Sequence, residues 1–167
     1  VDCGSYLRQR IAYQADVGCE TTAFICRPHA AASSSPSPGV LCLHPTNQKH
    51  GYEDVVGLSD RPNRNYASEL SERGFVTISP SYPEMAAYQP DIDALGYASG
   101  TMKAIWDNVR ALDLLASLDF VSDSGFGAIG HSLGGHNSVY TAVFDDRIKV
   151  TVSSCGLDSY VDYYRWA

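Results

Sequence analysis

Gly130-His131-Ser132-Leu133-Gly134-Gly135 is the stretch on which the reading of this chain turns. Phe126-Gly127-Ala128-Ile129 before it is a short apolar run with strand character, and Leu133 to Phe144 after it reads as a helix. A serine in the tight turn between a strand and a helix is the arrangement of a nucleophile elbow. Gly130 and Gly134 flank it because the two backbones come close there and leave no room for a side chain. Such a turn forces Ser132 into strained geometry and lifts its hydroxyl above the sheet edge. The helix start aims the N–H of Leu133 at an oxyanion forming on a bound carbonyl. Ser132 is therefore the candidate nucleophile and the Leu133 amide a candidate oxyanion donor.

Upstream, Val40-Leu41-Cys42-Leu43 is a continuous apolar run, as expected of a central strand buried on both faces. It ends in His44-Pro45-Thr46-Asn47, and the loop after such a strand supplies the second oxyanion donor. Pro45 has no N–H, which leaves the Thr46 amide as the candidate. His44 is expected to fix this loop, and with His131, Tyr82 and Tyr88 it is a candidate for the wall of a substrate pocket. Gln48 to Arg61 reads as a polar, solvated loop. His50, Glu53 and Asp54 lie in it, with no predicted helix to turn them to one face as metal ligands. Pro62 to Arg73 is predicted to be a helix closed by Gly74, followed by a strand at Phe75 to Ile78. Ser81 to Tyr97 is a long connection leaving the carboxyl end of that strand, where ligands bind in open α/β sheets.

Ser99 to Leu118 is predicted to be a helix that turns Met102, Ile105, Trp106, Val109, Leu112 and Leu115 to the sheet, with Trp106 in the core. Ile148 to Ser153 is the next strand, ending in Cys155-Gly156-Leu157-Asp158. Tyr160, Tyr163, Tyr164 and Trp166 form an aromatic tail. Arg8 to Ala15 and Thr21 to Arg27 read as an antiparallel pair at the start. Strands alternating with helices from Val40 onward imply an α/β fold with a mainly parallel sheet and helices on both faces. The expected division is one domain: antiparallel strands at 8–27, a core at 40–158 and the tail at 159–167.

The formal net charge of −7 leaves no bulk excess of cations to neutralise phosphate, which argues against nucleic acid as a partner. No apolar run has the length of a membrane span. Five cysteines with no C-x-x-C spacing argue against zinc and thioredoxin-like chemistry. Cys26 and Cys42 are expected to be buried in strands, and Cys3–Cys19 is the disulfide left open. The odd count leans toward a reducing compartment such as the cytoplasm. A start at Val1 with no signal-like segment fits a processed or trimmed chain and leaves the compartment open.

The segments Leu41–Pro45 (LCLHP), Arg61–Tyr66 (RPNRNY), Glu72–Phe75 (ERGF), Gly100–Leu114 (GTMKAIWDNVRALDL), Ile129–His136 (IGHSLGGH) and Ser153–Gly156 (SSCG) together resemble the α/β-hydrolase superfamily. The closest likeness is to its dienelactone-hydrolase-like and acetyl-xylan-esterase-like members. The resemblance implies a serine ester hydrolase working through an acyl-enzyme, without metal or organic cofactor, on a small-molecule ester. By the same likeness Ser132 is the nucleophile, the Leu133 and Thr46 amides form the oxyanion hole, and Asp158 is a candidate acid. Family members carry the acid and the histidine on two strands beyond the last one read here, and the sequence stops at Ala167. The expectations that follow are a homo-oligomer or association with a missing C-terminal portion that completes the site. The alternative is a catalytically silent module acting through binding or assembly.

Overall fold

The chain opens on two antiparallel strands, β1 (Tyr6–Asp16) and β2 (Cys19–Pro28), joined by a turn in which Gly18 takes φ 75. The computed structural model describes residues 1–159, so the aromatic tail lies outside the described residues. Four more strands follow: β3 (Ser37–Leu43), β4 (Val76–Pro80), β5 (Val121–His131) and β6 (Ile148–Ser154). Between them come a 3-10 turn (Gly51–Val56) and the helices α1 (Tyr66–Glu72), α2 (Gly100–Ala116) and α3 (Leu133–Phe144). The six strands form one sheet in the order β1-β2-β4-β3-β5-β6. The ladders from β4 through β3 and β5 to β6 are parallel, and among the described strands β2 alone runs against the rest.

Period-two alternation in the central strands divides the core into two layers. Leu41 and Leu43 of β3 pack with Ile25, Ile78 and Ala128 against Ala111, Leu112 and Leu115 of α2. Val40 and Cys42 point the other way, to Phe24, Cys26, the 3-10 turn and Ala67 of α1. Helices therefore cover both faces, as the α/β reading requires. β6 stands at one edge, and its Val150 and Val152 side chains are exposed. Among the described residues no helix is long and apolar enough to cross a membrane.

Three local expectations are corrected, and one open question is answered. Gln48–Arg61 is not a solvated loop: its 3-10 turn sends Tyr52, Val55 and Val56 into the core. The helix expected from Pro62 starts only at Tyr66, because Asn63 takes a left-handed φ of 59 that no α-helix accepts. On α2, Met102 and Trp106 are 43% and 41% exposed, while Lys103, Asp107 and Asn108 occupy the buried face. Trp106 lies over β1 instead, its Nε1 donating to the Ala15 carbonyl at 2.8 Å. All five cysteines are free, so no Cys3–Cys19 bridge forms, and Cys26 and Cys42 are buried.

Candidate active site

β5 ends at His131 and α3 begins at Leu133, so one residue, Ser132, makes the whole turn. It does so at φ 53, ψ −119, a conformation that a residue with a β-carbon avoids. Two backbone bonds hold it there: Ser132 N–H donates to the Ser154 carbonyl of β6 at 2.8 Å, and its own carbonyl accepts from His136 N–H at 2.9 Å. The surrounding glycines make the turn possible. A β-carbon on Gly130 would stand 2.2 Å from the Gly134 carbonyl, and one on Gly134 would stand 2.0 Å from the Leu43 carbonyl oxygen.

A serine at a helix N-terminus ordinarily caps the first turn with its side chain. Ser132 makes no such bond, so its hydroxyl is left for other partners. It opens on a cleft of about 510 Å³ whose walls include Thr46, Leu133, Thr101, His136 and Tyr140. Leu133, the first helical residue, has no intrahelical partner for its N–H. Thr46 is exposed, and its N–H meets no acceptor among the described residues.

His44 fixes the peptide just before that amide. Its Nδ1 donates to the Pro45 carbonyl at 2.8 Å. The Pro45–Thr46 peptide is trans, so the Thr46 N–H points opposite to the carbonyl that His44 holds. Burial pushes the His44 pKa down to about 4, against the smaller opposing effects of the Pro45 bond and Asp54. The ring is therefore neutral near pH 7. At 2% exposure it is buried, which corrects its placement in the pocket wall.

Tyr82 stands behind the wall, its hydroxyl 3.0 Å from Thr101 Oγ1. Tyr88 turns away and donates to Asp107 Oδ2 at 3.0 Å, so it is not a pocket residue. His131 also points elsewhere: its Nδ1 lies 3.0 Å from Ser154 Oγ, and burial followed by the nearby Arg64 cation lowers its pKa. Asp158 borders the cleft, with Oδ1 accepting from Ser159 N–H at 2.7 Å. His136 borders the cleft and lies against Tyr140 with ring centroids 4.4 Å apart. The signal for it was its spacing: four residues beyond Ser132, one helical turn along the same face.

Four of the histidines are held by partners other than Ser132. His44, His131, His50 and His29 bond to Pro45, Ser154, Glu53 and Asp2. Among the described residues, no cluster of three or more His, Cys, Asp or Glu side chains is arranged to hold a metal ion.

No family model matches the chain. Over 60 residues, 36% of this chain and 19% of the relative, it is 43% identical to "Putative hydrolase YtaP" of Bacillus subtilis (strain 168). The acetyl xylan esterase from Paenibacillus sp. R4 matches 92% of this chain and 50% of its own at a TM-score of 0.67 and 20% identity. An acylaminoacyl peptidase in complex with Z-Gly-Gly-Phe-chloromethyl ketone matches 98% of this chain and 25% of its own at a TM-score of 0.75 and 12% identity. The chain thus spans about a fifth of the curated relative, and half or less of these two solved structures.

Proposed function

We propose that this chain, whose fold is that of the α/β-hydrolases, carries the nucleophile of a serine-dependent carboxylic ester hydrolase. The observation behind the reading is Ser132: strained at φ 53, free of any helix-capping bond, and open to a cleft that Leu133 and Thr46 also line. Ser132 Oγ attacks the ester carbonyl carbon as its proton passes to a base, and the carbonyl electron pair moves onto oxygen between the two amides. The carbon–oxygen bond to the alcohol then breaks, and the alcohol leaves with that proton. Water attacks the acyl-serine by the same route, releasing the carboxylic acid and restoring the hydroxyl. The base is assigned to residues outside 1–159, in this polypeptide or an associated one, with Asp158 at the cleft as the candidate acid to orient it. An ester is preferred to an amide because an alcohol is the better leaving group and asks less of the acid.

A fluorophosphonate probe tests the reading. Full-length protein is expected to be labelled at Ser132, and Ser132→Ala, folded with an unchanged melting temperature, is expected to take no label. A folded, unlabelled wild-type protein defeats the assignment. The oxyanion role of Thr46 has its own test, because its amide and its side chain can be separated. Thr46→Ala keeps the N–H and is expected to label at nearly the wild-type rate. Thr46→Pro removes it and is expected to slow labelling ~10²–10³-fold. Equal rates in the two variants remove Thr46 from the oxyanion hole.

A further inference from the structure

We propose that Asp54 is a positioning residue for the Thr46 amide, acting through Asn47 and Arg61; the proposal rests on the hydrolase reading above. Asp54 sits on the 3-10 turn and is 1% exposed. Both of its carboxylate oxygens accept from Asn47 Nδ2, at 2.9 Å each. Asn47, itself buried, bends the chain directly after Thr46: its Oδ1 accepts from the N–H groups of Lys49 and His50 at 3.0 and 3.1 Å. Its carbonyl accepts from Gly51 N–H at 3.0 Å. Arg61 supplies the second arm. Its Nη1 stands 3.8 Å from Asp54 Oδ2 and donates to the Thr46 carbonyl at 3.3 Å.

A carboxylate buried this deeply is costly unless its partners satisfy it. Here both partners hold one loop, and that loop presents the Thr46 amide. An oxyanion donor accelerates a reaction only when it is aimed beforehand. Thr46 is exposed and has little packing of its own to aim it. His44 fixes the peptide on its N-terminal side, and the Asp54 pair fixes the residue and the carbonyl on its C-terminal side. Tyr52, Val55 and Val56 anchor the turn carrying Asp54 in the core, so the aim of the amide is referred to the body of the protein.

The test measures labelling of Ser132 in full-length protein against fluorophosphonate concentration for Asp54→Asn, Arg61→Met and Arg61→Lys. The Arg61 side chain is 48% exposed and Asp54 keeps both Asn47 bonds without it, so Arg61→Met is expected to stay folded even where Asp54→Asn does not. Asp54→Asn and Arg61→Met are expected to lower the maximal labelling rate ~10–100-fold, the loss typical of a misplaced catalytic group. The half-saturating concentration is expected to stay within about twofold, since ground-state binding is untouched. Arg61→Lys, which keeps a donor, is expected to recover part of the rate. Wild-type rates in both Asp54→Asn and Arg61→Met, or a loss confined to the half-saturating concentration, overturn the positioning role while the hydrolase reading stands. An unlabelled wild-type protein overturns both.

Discussion

Gly134→Ala is expected to leave no stably folded protein. The added methyl would stand 2.0 Å from the Leu43 carbonyl oxygen, 2.5 Å from its carbon and 2.8 Å from the His44 carbonyl oxygen. All three are backbone atoms at the end of β3, so no side chain can rotate to make room. Moving α3 outward is the remaining relief. The helix is locked from the other side by Gly130, whose own β-carbon position lies 2.2 Å from Gly134. Gly156 closes it further, because a β-carbon there would stand 2.3 Å from the Gly135 carbonyl carbon and the His136 nitrogen. Shifting a helix in a close-packed interior opens voids throughout its interface. The expected loss exceeds ~4–5 kcal/mol, at the far end of single-substitution effects. Gly127→Ala in β5 is the control: its methyl would meet Val40 Cγ2 at an ordinary 3.5 Å. That variant is expected to gain ~0.5–1 kcal/mol from the reduced freedom of the unfolded chain. Urea midpoints of the two variants decide the matter, and comparable midpoints refute the packing argument.

The same contrast shows which parts of this molecule its sequence discloses. The turn at Ser132 and the strand Val40–Leu43 are legible because their signals are local: glycines at fixed spacing, and an apolar run bounded by proline. The 3-10 turn is not legible because its three core residues, Tyr52, Val55 and Val56, sit among charges that together read as solvated. Asp54 and Asn47 carry no pattern at all, and their role comes from a hydrogen bond that only the folded chain creates. The buried face of α2 is hidden for a related reason. Periodicity ranks positions by hydrophobicity, so it puts Met102 and Trp106 inward. Lys103 and Asp107 take the buried side because the partner carboxylate of Asp16 waits on β1, a distant part of the sequence.

That buried lysine gives the second large effect: Lys103→Met is expected to destabilise the protein by ~3–5 kcal/mol near pH 7.5. Lys103 is fully buried, with Nζ 2.9 Å from Asp16 Oδ2 and in direct contact with Asp107 Oδ1. Methionine fills a similar volume, so the loss isolates the charge. Two carboxylates are left facing each other, and Asp107 has no access to water. Tyr88 donates to Asp107, Tyr97 donates to Asp16, the Tyr13 hydroxyl bonds the Asp107 carbonyl, and Cys19 lies 3.7 Å from the Tyr88 oxygen. None of these brings a cation. Burial raises the Asp107 pKa to about 6, with Lys103 and Tyr88 pulling it down and Asp16 adding to the rise. A folded-state pKa above the ordinary 3.8 means that the native protein holds this proton more tightly than the unfolded chain. Stability from this group therefore falls as pH rises from about 4 to about 6. Without Lys103 the downward pull is gone and the window moves to higher pH. The penalty of Lys103→Met is accordingly largest above neutrality and shrinks on acidification to pH 5. Adding Asp107→Asn removes the orphaned charge yet keeps an acceptor for Tyr88, and is expected to restore part of the loss at pH 7.5. Urea titrations at the two pH values give the answer: a penalty that does not change with pH, or one below ~1 kcal/mol, shows that the cluster does not hold its lysine as a compensated charge.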